Sequence, residues 1–121
     1  AVKGNPDELL HVFVNLITNA VHAMERVGGT LTIETIVHDG QVDVRISDTG
    51  CGIAPDTIHE IFEPFFTTKA PGKGTGLGLF NVKTIVNKMH GTIAVDSRID
   101  QGTTFTLTFP NAEPVWQGSL L

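Results

Sequence analysis

The sequence has one cysteine, Cys51, among its 121 residues, which excludes an internal disulfide framework and any cysteine-built zinc cluster. A lone thiol suits a reducing compartment, and a cytoplasmic location is the expectation. No apolar run approaches the roughly 18 residues of a membrane span, and the start, Ala1-Val2-Lys3-Gly4, lacks a signal-peptide pattern. No membrane contact is expected of this piece, whether its parent is membrane-anchored or soluble. Basic residues are also scarce, since 8 Lys and Arg against 13 Asp and Glu give a formal charge of -5. That balance argues against a nucleic-acid surface, which carries a basic patch or stripe. Repeats, charge blocks and low-complexity segments are absent too, so nothing divides the chain into two domains.

What is there reads as globular: 40% hydrophobic residues, 17% charged, and a mean hydropathy of +0.11. A chain of this length buries about two thirds of its unfolded surface around one core. Residues 1–110 are expected to form that domain and 111–121 a flexible tail, with Pro114 and Trp116 as a docking segment being the alternative.

Asn5 as N-cap, Pro6 at the first helical position and Glu8 three residues after the cap predict a helix start. Leu9, Phe13, Leu16, Ile17, Ala20 and Met24 then recur at helical spacing to about Arg26, where Gly28-Gly29 stops the run. Thr30 to Val37 and Gln41 to Ser47 read as strands joined through Asp39-Gly40, a hairpin signal. Asp48 to Pro55 is turn-like, Asp56 to Ile61 predicts one or two helical turns, and Glu63 to Thr75 a loop. A second helix is expected from Leu77 to Met89 with Gly91 as its stop. A last hairpin follows, Thr92 to Asp96 and Thr103 to Phe109 around Asp100-Gln101-Gly102. Helices on one face of a largely antiparallel sheet are the expected plan, an α+β architecture.

At about 100° per residue, Glu8, His11, Asn15, Asn19, His22 and Arg26 fall near one line of the first helix, which predicts a polar seam opposite the apolar stripe. A solvated face is the plain explanation. Asparagine, however, is a poor helix former, and Asn15 and Asn19 sit one turn apart in mid-helix. Their amide oxygens suit a hard cation such as magnesium, whose remaining ligands come from water and phosphate.

Asp48-Thr49-Gly50-Cys51-Gly52-Ile53 sets a carboxylate at a strand end before two glycines, where it either accepts from a ligand's amino group or satisfies a local turn. In Lys73-Gly74-Thr75-Gly76-Leu77-Gly78-Leu79, alternating glycines run into a helix whose free N–H groups suit phosphate. No strand precedes them and residue 79 is not glycine, which excludes a dinucleotide fingerprint, and no Gly-Lys-Ser/Thr follows for a Walker loop. Phe62-Glu63-Pro64-Phe65-Phe66-Thr67-Thr68-Lys69, with Lys73 beyond, has the makings of a lid or of a plug under a surface loop.

In this order the four segments resemble the boxes of the GHKL ATPase superfamily: Asn15-Leu16-Ile17-Thr18-Asn19-Ala20, Asp48 to Gly52, Phe62 to Phe66 and Gly74 to Gly78. The resemblance covers residues 5–109 and is nearest to the ATP-binding catalytic domain of sensor histidine kinases of the nitrogen-regulator type. It implies a two-layer α/β sandwich, the Bergerat fold, with a mixed, mostly antiparallel sheet. By the same resemblance, Asn19 ligates Mg2+ and Asn15 lies beside metal and phosphates, while the charge and position of Lys69 assign it to the γ-phosphate; these three are the expected catalytic residues. Asp48 accepts the adenine amino group, Gly50, Gly52 and Ile53 shape that side, and Thr104 approaches from the last strands. His22 stands at a position that faces phosphate in relatives. Thr68, Lys73, Gly74, Thr75, Gly76, Leu77, Gly78 and Leu79 complete the expected ATP site.

Hydrolytic members of the superfamily carry glutamate at the position of Asn15, and an amide cannot serve as that base. The resemblance therefore implies transfer of the ATP γ-phosphate to a histidine on a separate dimerisation domain, and then signalling to a response regulator. None of His11, His22, His38, His59 and His90 has the acceptor's setting, so the acceptor domain is expected to lie outside this sequence. The resemblance also implies a strand before the first helix, of which Ala1 to Lys3 are the expected remnant, with one sheet edge truncated. A hydrolytic clamp ATPase, an anti-sigma-type serine kinase and a non-catalytic docking module are the alternatives.

Overall fold

The computed structural model describes residues 6–26, 28–64 and 78–110. Six elements follow in order: α1 (Pro6–Ala23), β1 (Leu31–His38), β2 (Gln41–Asp48), α2 (Gly78–Lys88), β3 (Thr92–Arg98) and β4 (Gly102–Pro110). The strands form one sheet in the order β1-β2-β4-β3, and every pairing among the described residues is antiparallel, in keeping with the expected α+β plan.

Strand alternation builds the core. Val42, Val44 and Ile46 of β2 stand opposite Phe109, Leu107 and Phe105 of β4, all buried against the helices. Val12 and Leu16 of α1, with Val82 and Val86 of α2 and Met89 just beyond it, cover this face. The opposite face is polar, with Thr108 Oγ1 donating to Asp43 Oδ1 at 2.9 Å. β1 is an edge strand, and its inward Ile33 and Val37 remain 52% and 66% exposed.

The turns follow local chemistry. Asp39 and Gly40 both take positive φ, 46° and 75°, as a two-residue hairpin turn of the primed type requires. α2 ends with His90 in the left-handed region at φ 62°, and Gly91 N–H donates to Val86 O at 3.0 Å. Gly91 is needed for space instead: a Cβ there would lie 2.7 Å from Thr108 O. Residues 54–63 form linked hydrogen-bonded turns where one or two helical turns were expected, and α1 ends at Ala23 in a further turn. Asn5, Leu77 and the expected 111–121 tail lie outside the described residues.

Candidate functional site

The alternation that makes the core also sets its end. Asp48 is the last residue of β2 and follows Val42, Val44 and Ile46 on the helix side, only 9% exposed. Thr103 stands directly opposite it in β4, and the backbone N–H groups of Gly50, at 2.8 Å, and Thr103 donate to its carboxylate. Burial pushes the Asp48 pKa up, and those two hydrogen bonds oppose the rise.

The turn after Asp48 is wedged between α1 and the β3–β4 hairpin. Cys51 N–H donates to Ala23 O at 3.1 Å, closing the end of α1, and Asp100 N–H donates to Cys51 O at 2.8 Å. A Cβ on Gly50 would lie 2.5 Å from Ala23 O, while one on Gly52, at φ 75°, would run into Arg98 O. Both glycines are therefore required by close backbone approach. Ile53 N–H is held by Ser97 Oγ at 2.8 Å. Asp48, Ser97 and Thr103 border one open cleft of about 170 Å³ at this end of the sheet.

Thr104, the expected adenine-side residue, borders the same cleft, but alternation turns its side chain to the other face of the sheet, where its hydroxyl pairs with Ser47 Oγ at 3.0 Å. Thr103 holds the place beside Asp48. Neither Thr103 nor Ser97 was singled out from the sequence, although counting by twos back from Phe109, Leu107 and Phe105, and on from Ile93 and Val95, reaches both.

The middle of the polar seam of α1 is not its outermost face. The large apolar side chains Leu10, Val14 and Val21 are exposed, at 62%, 53% and 50%, as is the seam's His11, whereas Asn15, Asn19 and His22 are half-buried on the flank. The cause is α2, which packs against that flank; Lys88 Nζ meets Glu8 Oε2 at 2.7 Å. Asn15 Nδ2 donates to His11 O at 3.0 Å, and its Oδ1 lies 3.2 Å from where a Cβ of Gly78 would stand. Gly78 is the first residue of α2, whose N–H groups carry partial positive charge. Among the described residues, His22 Nδ1 is the buried side-chain polar atom without a hydrogen-bond partner. Leu79 is half-buried in the first turn of α2 and packs against the core.

Two ends thus emerge, a buried carboxylate beside a glycine turn and a helix N-terminus beside an amide. Thr68, Lys69, Lys73, Gly74, Thr75, Gly76 and Leu77 lie outside the described residues. No described helix is long and apolar enough to cross a membrane.

Comparison with known proteins gives concordant results. Residues 4–113 match the family of histidine kinase-, DNA gyrase B-, and HSP90-like ATPases. Over 110 residues the chain is 43% identical to the sensor histidine kinase ZraS of Salmonella typhi, covering 90% of this chain and 23% of that protein. It is 42% identical to sporulation kinase A of Bacillus subtilis, covering 90% and 18%. The chain thus spans less than a quarter of the length of these curated relatives. The mycobacterial sensor histidine kinase MprB superposes with a TM-score of 0.78 at 32% identity, over 90% of this chain and 74% of that one. Full-length ShkA in complex with AMPPNP gives 0.71 at 34% identity, over 87% and 22%. With box segments, sheet and relatives in agreement, the chain belongs to the histidine kinase-, DNA gyrase B-, and HSP90-like ATPase family, as an ATP-binding catalytic domain of the sensor histidine kinase kind.

Proposed function

We propose that this domain binds ATP with magnesium between α1, the 48–53 turn and the start of α2, and that its parent protein transfers the γ-phosphate to a histidine on a separate dimerisation domain. The observation that carries this reading is the meeting of Asn15 Oδ1 with Gly78 at the N-terminus of α2. It brings an amide oxygen and a phosphate-attracting helix end together from box segments far apart in sequence. Asp48 would accept the adenine amino group at the other end.

The donor set fits magnesium. Amide oxygens of Asn19 and Asn15 are the hard ligands it takes alongside water and phosphate, and the partnerless Nδ1 of His22 on the same flank suits a polar ligand. Bound magnesium would neutralise charge on the phosphates. This chain's part is to orient the nucleotide while an imidazole nitrogen of the acceptor bonds to the γ-phosphorus and the phosphorus–oxygen bond to ADP breaks. Asn15, an amide already donating to His11 O, offers no general base for water, which favours a protein nucleophile over hydrolysis. The relatives' names support a kinase parent, and the wording of the N box supports the nitrogen-regulator type. Passage of the phosphoryl group to a response regulator in the cytoplasm belongs to the same proposal. Lys69 is assigned to the γ-phosphate by its charge and position, Thr68, Lys73 and residues 74–77 to the ATP site with it, and residues 111–121 to a tail beyond the domain.

Calorimetric titration with ADP and AMPPNP, with and without magnesium and with GTP as control, tests the binding. Saturable, adenine-selective binding that magnesium strengthens is the expected result, and a folded chain that binds neither nucleotide would overturn the reading. Transfer in trans to a dimerisation domain should then give an acid-labile phosphohistidine; acid-stable phosphoserine would favour the serine-kinase alternative.

A further inference from the structure

The hydroxyl of Ser97 joins three segments that the adenine side needs in register. It accepts from Ile53 N–H at 2.8 Å, lies 3.0 Å from Gly102 O and lies 2.7 Å from Thr103 Oγ1. A serine hydroxyl has one proton and two lone pairs. The Ile53 N–H takes one lone pair, and the proton has two acceptors in reach, Gly102 O and Thr103 Oγ1. The inference rests on the arrangement in which Gly102 O takes it, which leaves the second lone pair of Ser97 to accept the proton of the Thr103 hydroxyl.

That order of protons reaches the site. With its hydrogen committed to Ser97, Thr103 Oγ1 presents lone pairs alone, directly opposite the Asp48 carboxylate in the ladder. We propose that Ser97 is a positioning residue for base selection: by fixing the Thr103 hydroxyl as an acceptor, it makes this end of the cleft a pair of acceptors that matches an amino group and repels a carbonyl. The inference rests on the adenine-site reading above. Adenine carries an exocyclic amino group where hypoxanthine carries a carbonyl oxygen, so the two bases differ at the atom concerned. Without the Ser97 hydroxyl, Thr103 is free to turn its proton outward and donate to that carbonyl, and the discrimination weakens.

The test compares the affinities of ADP and IDP for the full chain and its variants. Wild type should favour ADP, and Ser97→Ala should lower the ADP/IDP preference by about tenfold, the worth of one hydrogen bond of ~1.4 kcal/mol. Ser97→Thr, which keeps the hydroxyl, should restore the preference. Thr103→Val should lower it similarly, and the double variant by no more than either alone, because both act through one hydroxyl. A merely structural Ser97 would weaken ADP and IDP equally, leave their ratio unchanged and overturn the proposal while the adenine-site reading stood. Should Ser97→Ala fail to fold, Thr103→Val decides by the same ratio. Failure of wild type to bind ADP would overturn both.

Discussion

At the scale of residues, Asp48, the proposed acceptor for the adenine amino group, is held at a cost to the fold. Its carboxylate closes a column of core side chains and is 9% exposed, and burial raises its pKa above the usual 3.8. Between 3.8 and the raised folded value the native state holds more protons than the unfolded chain, so this group makes stability fall as pH climbs through that window. Asp48→Asn should remove that slope in thermal melts taken from acid to neutral pH. The same variant should weaken ADP binding by about 1.5–3 kcal/mol, the range for a hydrogen bond to a charged group. Unchanged affinity by calorimetry would remove Asp48 from the base site. Much at this scale was legible, because carboxylate, glycines and asparagines announce themselves by type. Thr103 and Ser97 did not, since a hydroxyl in a threonine-rich strand looks like any other until its face of the sheet is known.

At the scale of elements, boundaries read from turn chemistry agreed closely with the structure. The Asp39-Gly40 turn fixed β1 against β2, so both strands run within a residue of the expected ends. The seam of α1 was harder. Helical period puts Asn15, Asn19 and His22 on one line, but only the arrival of α2 on that flank decides that the line is half-buried while Leu10 and Val14 face outward. At the β1–β2 hairpin, His38 Nε2 meets Asp43 Oδ2 at 2.9 Å on an exposed surface. The hydrogen bond with Asp43, then its charge, raises the pKa of His38, while the same hydrogen bond lowers that of Asp43. The pair's support is therefore whole only between two limits. It is lost as pH rises from 6.5 through the raised His38 value, and as pH falls from 3.8 through the lowered Asp43 value. In an NMR titration, Asp43→Asn should bring the His38 midpoint down; an unmoved midpoint would deny the pairing.

At the scale of the whole molecule, the cleft proposed for the base belongs to no single element. α1 contributes Ala23 O, the 48–53 turn its glycines, and the last hairpin Ser97, Gly102 and Thr103. Gly102 sits at φ 126°, and a Cβ there would run into Asp48 O. Gly102→Ala should therefore cost about 1–3 kcal/mol in denaturant unfolding and weaken ADP binding with it. Full stability with lost binding, or the reverse, would separate what the structure joins. Such closeness between distant segments is what one sequence hides, since local pattern carries no record of which turn will touch which.

The tie between the 48–53 turn and the β3–β4 hairpin also sets an order in time. Ile53 must wait for Ser97, and Cys51 O for the N–H of Asp100, before the turn is held. A ribosome delivers the N-terminal half first. The box that carries Asp48 is thus synthesised before the residues that complete it, and a nascent chain gains the cleft proposed for its nucleotide only once the last hairpin has emerged.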